Sequence, residues 1–141
     1  MMKKREHRKE VKEAIAAADE VIKLLDKAKR SLNTAQGLGI VDLLGGKTFV
    51  TFIKQTRINK AERDILNAQR AIKRMNEEIL DVKSIIDVDL EMGVVLKLAD
   101  YFFGGPVADW LVLGRIGEAK MKISRAKKEV LEVRNGLDRL W

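Results

Sequence analysis

Asp42 and Asp100 stand in matched settings. Each precedes a short apolar run and a glycine pair, Gly45-Gly46 or Gly104-Gly105, and each is followed by an Arg-Ile pair beginning at Arg57 or Arg115. Two carboxylates in equivalent places could act together or bind a cation. We favour a local hydrogen bond or an ion pair, for example with Arg57 and Arg115, because nearby charges are arranged for structural reasons more often than for catalysis. Asp87, Asp89 and Glu91 alternate as in a calcium loop, but the glycine and the twelfth-position glutamate are missing. A helix start with acidic groups at its positive end accounts for them better. Gly45-Gly46-Lys47-Thr48 carries the tail of a phosphate loop without its first glycine. Pro106 stands where that logic should repeat, so a hinge is the better reading.

The chain lacks the residues for several other chemistries. It has no cysteine and a single histidine, His7, in a charged N-terminal run. Zinc coordination and Ser-His-Asp catalysis have almost nothing to draw on. We therefore expect no catalytic residue, no cofactor, no resident metal and no enzymatic activity. The absence of cysteine suits a reducing cytoplasm. No stretch of about 20 residues is free of charge, so a spanning helix is not expected.

The net charge of +7 is unevenly spread: residues 1–10 carry +3, 47–76 carry +6, 77–100 carry −5 and 115–141 carry +4. The basic run at residues 3–9 reads as a solvated, frayed helix start. No helix-turn-helix pattern or aromatic platform accompanies the cations, so nucleic acid is not an expected partner. A membrane surface is also not favoured, since residues 90–114 carry acids around their apolar face rather than lysines and arginines.

The elements that must position these residues are legible in the spacing. Ile58, Ala61, Ile65, Ala68, Ile72, Met75, Ile79, Val82 and Ile86 alternate intervals of three and four, a coiled-coil seam without a slip. Ile116, Ala119, Ile123, Ala126, Val130, Val133, Leu137 and Leu140 repeat it, and so does the series from Val11 to Ala35. Ile15 and Ile22 widen the N-terminal stripe, which suits a helix packed on two neighbours. Alanines at alternate seam positions should let helices approach closely. No seam position in the second or third stripe is charged, so no buried polar residue is expected to fix register there.

A displacement of 58 residues superimposes Asp42 on Asp100, Gly46 on Gly104, Arg57 on Arg115 and Ile58 on Ile116. We read this as an internal repeat with units at about 38–86 and 96–141, inside a single domain spanning 1–141. The expected fold is all-α: a coiled-coil-like bundle of three long helices with two short inserted apolar helices. The second and third long helices should cover about 48–86 and 106–140, and the short ones about 38–44 and 90–103. Pro106 would open one long helix, and Thr48 would cap the other. Tyr101, Phe102, Phe103 and Trp110, with Phe49 and Phe52, read as packing for a satellite core or a dimer interface rather than a docking surface.

The segments "DLLGG…RINKA" and "DYFFGG…ADWLVLGRI" are together similar to a group of small all-helical bacterial proteins with paired Gly-hinged apolar segments. That resemblance implies a bacterial helical protein and no particular chemistry. The expected function is a non-enzymatic structural or protein-interaction module, homodimeric and cytoplasmic. The alternatives are a binder of membrane surfaces or nucleic acid through basic faces, and a small-molecule binder or enzyme with a pocket at the glycine hinges. The candidate interaction or hinge residues are Asp42, Gly45, Gly46, Arg57, Asp100, Tyr101, Phe102, Phe103, Gly104, Gly105, Pro106, Trp110 and Arg115.

Overall fold

The computed structural model describes the backbone of residues 2–42, 47–85 and 116–140, and side chains within 6–34, 59–82 and 117–140. These residues form three helices, α1 (Met2–Asp42), α2 (Lys47–Ile85) and α3 (Ile116–Asp138), and no strand. At 1.5 Å per residue α1 and α2 are each about 60 Å long.

Hydrophobic spacing determines what is buried. The seam residues with described side chains lie at 0–1% exposure, apart from half-buried Val133 and Leu140. Burying each of the larger ones, such as Leu25, Ile65 or Ile72, stabilises the fold by roughly 1.5–3 kcal/mol. Ile15 and Ile22 pack half-buried against this core, and α1 makes contact with both α2 and α3. The broad N-terminal stripe therefore serves two neighbours, as its width indicates.

Side-chain pairs set the directions. Ser31 and Lys27 meet Asp64, whereas Glu10 lies beside Glu78 and Asp81, so α2 runs antiparallel to α1. Asp26 pairs with Lys127 at 2.9 Å and Asp19 with Arg134 at 2.6 Å, so α3 is antiparallel to α1 as well. The pair of Ser31 and Asp64 brings Gln69 level with Asp26, and Asn76 level with Asp19, to within a helical turn. The α3 residues that meet Asp26 and Asp19 are those lying 58 positions after Gln69 and Asn76.

The short helix expected at 38–44 is not a separate element over 38–42, where α1 continues unbroken to Asp42. Gly37 and Gly39 each cost about 1 kcal/mol relative to alanine, but extending a formed helix avoids the much larger cost of nucleation. α2 begins at Lys47, which puts Thr48 inside the first turn rather than ahead of it. The helix expected at 90–103, the start of the one expected at 106–140, and Asp87, Asp89 and Glu91 lie outside the described residues.

Candidate functional site

Of the hinge residues singled out in the sequence, Asp42 ends α1 and Arg57 lies within α2. Their side chains are outside the described set, as are those of Phe49 and Phe52. Gly45, Gly46, Asp100, Tyr101, Phe102, Phe103, Gly104, Gly105, Pro106, Trp110 and Arg115 lie wholly outside the described residues. The polar geometry that is described falls instead along the line where α1 meets α2.

Midway along α2, the Ser31 hydroxyl donates a hydrogen bond to the Asp64 carboxylate. Asp64 is 5% exposed and Ser31 7%. The Lys27 ammonium stands 3.8 Å from the other carboxylate oxygen. A buried polar contact between the helices thus lies beside a seam whose own positions are apolar. It arises because Ser31 and Asp64 each immediately precede a seam residue, Leu32 and Ile65, and so sit on the flank that meets the neighbouring helix. The Thr34 hydroxyl donates to the Arg30 carbonyl at 3.1 Å. Lys27, Arg30 and Lys60 surround an open groove of about 240 Å³, with Ser31 and Thr34 at its wall. Three cations face one buried carboxylate there, which leaves this end positive.

The other end of the α1–α2 line carries the opposite charge. Glu10, Glu78 and Asp81 bring one carboxylate oxygen each within 4.8 Å of the others. Burial pushes the Glu78 carboxyl above the usual range, and Glu13, Asp81, Glu10 and Glu77 push it further. Both Glu10 Oε2 and Glu78 Oε2 are closed to solvent without a hydrogen-bond partner. Oxygens of this kind suit a hard cation, a shared proton or a cationic side chain. The groove alongside is about 390 Å³ and has Ala16, Ala17 and Ala71 between Glu13, Glu20, Arg74 and Glu78. Sequence spacing did not reveal this cluster, because Glu10 and Glu78 become neighbours only through the α1–α2 register.

His7 is half-buried rather than solvated, and its Nε2–H donates to the Leu140 carbonyl at 3.2 Å. This bond ties the first turns of α1 to the turn that follows α3, where Leu140 N–H donates to the Leu137 carbonyl. Among the described residues no helix is long and apolar enough to cross a membrane. No protein-family model matches the chain, and no match is found among the curated proteins or the solved structures.

Proposed function

We propose that the chain is a non-enzymatic structural or protein-interaction module, a coiled-coil-like helical bundle that works as a homodimer in the bacterial cytoplasm. One observation carries the reading. The apolar seams of three helices are closed against one another, while the α1–α2 groove is lined by cations toward one end and mainly by carboxylates toward the other. A surface of that kind recognises another folded surface through shape and charge. The 58-residue repeat belongs to the same reading. It is supported by α2 and α3 running alongside α1 in the same direction, with residues 58 apart at the same level of α1. Light scattering on a sizing column tests the dimer: the expected mass is twice that of the 16.0 kDa chain. A 16 kDa species persisting at several hundred micromolar would refute it.

A second reading is favoured by the outer row of α2. Lys60, Arg63, Arg70 and Arg74 are exposed along about 21 Å of one helix face. A row of cations attracts phosphates whether they belong to nucleic acid or to anionic lipid. Co-sedimentation with DNA and with anionic vesicles at low and high salt separates this reading from the first. Absence of binding at low salt removes it.

A further inference from the structure

The groove between α1 and α2 is oppositely charged at its two ends, and we propose that a second copy of the chain docks there antiparallel. This rests on the homodimer reading above and assigns it a face. At one end stand Lys27, Arg30 and Lys60, with Asp64 buried and already engaged by Ser31. At the other stand Glu10, Glu13, Glu20 and Glu78, close to Asp81, and these carboxylates outnumber Arg74 on the same wall. Some 20 residues of α1 separate the two ends, about 30 Å. Between them the floor is Ala16, Ala17 and Ala71, whose small side chains leave room for a neighbouring helix to approach.

A two-fold axis through the middle of the groove, near Glu20 and Ala71, sets the basic end of each copy on the acidic end of the other. Both ends are then satisfied by one self-complementary patch, as an isologous interface requires. A parallel arrangement would set acid on acid and base on base. The partner's cations would also offset the crowding of carboxylates at Glu10, Glu78 and Asp81. A polyanion would neutralise the basic end alone and leave the carboxylates as they are, which is why a second copy is the better occupant.

The test is a charge exchange in the full chain. Arg30→Glu with Lys60→Glu makes both ends acidic, and Glu13→Lys with Glu78→Lys makes both basic. Lys27 and Asp64 are left intact, and circular dichroism melts verify that each variant is folded. Light scattering over a concentration series should show the wild type dimeric and each variant weakened by about tenfold or more, from two like-charge contacts per dimer. An equimolar mixture should form a heterodimer of near wild-type affinity. Variants that dimerise as tightly as the wild type would overturn this assignment and leave the homodimer reading standing. Folded monomeric variants that fail to pair when mixed would overturn the antiparallel arrangement. A wild type that is monomeric throughout would overturn both the assignment and the homodimer reading.

Discussion

Removing the Ser31 hydroxyl should destabilise the fold more than removing the carboxylate it serves. In Ser31→Ala, Asp64 stays buried at 5% exposure and loses its hydrogen bond. Lys27, 3.8 Å away with a side chain about half exposed, is a weak substitute. A hydrogen bond to a buried charged group is worth about 1.5–3 kcal/mol, so Ser31→Ala should lose about 2 kcal/mol. In Asp64→Ala the same bond is lost, but so is the desolvation cost of the carboxylate. The Ser31 hydroxyl can then turn to a carbonyl of its own helix one turn back. That variant should lose about 1 kcal/mol, and the double variant about the same, so the coupling between the two sites is near 2 kcal/mol. Urea unfolding followed by circular dichroism at one fixed protein concentration is the assay. With slopes of about 2 kcal/mol per molar, the Ser31→Ala midpoint should fall by about 1 M. Losses that add to within about 0.5 kcal/mol would mean that the two groups do not interact and that the reasoning fails.

Three further outcomes follow from the core and the acidic cluster. The raised Glu78 carboxyl binds its proton more tightly folded than unfolded, so its contribution to stability is full below the unfolded carboxylate range, near about pH 4.3. That contribution is lost as pH rises through the higher folded value. At concentrations low enough to keep the chain monomeric, Glu78→Gln should therefore raise the Tm at pH 7 and flatten its dependence between pH 4 and 7; coincident melting profiles would refute this. Ile72→Ala, at a fully buried seam position, should cost about 2–5 kcal/mol by denaturant titration. Ala68→Leu enlarges a seam residue that is also fully buried and should lose about 1–3 kcal/mol through overpacking; an unchanged midpoint would show that the helices are not in close contact there.

The interior was legible because a seam is a property of one helix at a time. The three-and-four spacing of Ala61, Ile65, Ala68 and Ile72 identifies their shared face without knowledge of any neighbour. The wider stripe made by Ile15 and Ile22 signals that α1 has two partners, though not which way they run. What lay beyond reach depends on register between helices. Glu10, Glu78 and Asp81 carry no mark of one another in the chain, since they are brought together only when α2 pairs antiparallel with α1. Asp64 did carry a signal, its place immediately before a seam isoleucine, matched by Ser31 immediately before a seam leucine. Gly37 and Gly39 disfavour helix locally, but that preference is small beside the continuity of a helix already more than thirty residues long.

The common level of α2 and α3 along α1 creates a problem of identity that the polar residues solve. Two helices with nearly interchangeable apolar seams could trade places on α1 without leaving a gap in the core. The position 58 residues after Asp64 is Lys122. A swapped chain would therefore set a lysine against Lys27 and leave Ser31 facing a cation. In the other direction, Gln69 and Asn76 would replace Lys127 and Arg134, and Asp26 and Asp19 would lose their ion pairs. The seams make the helices stick, and a handful of charges beside them decides which helix goes where.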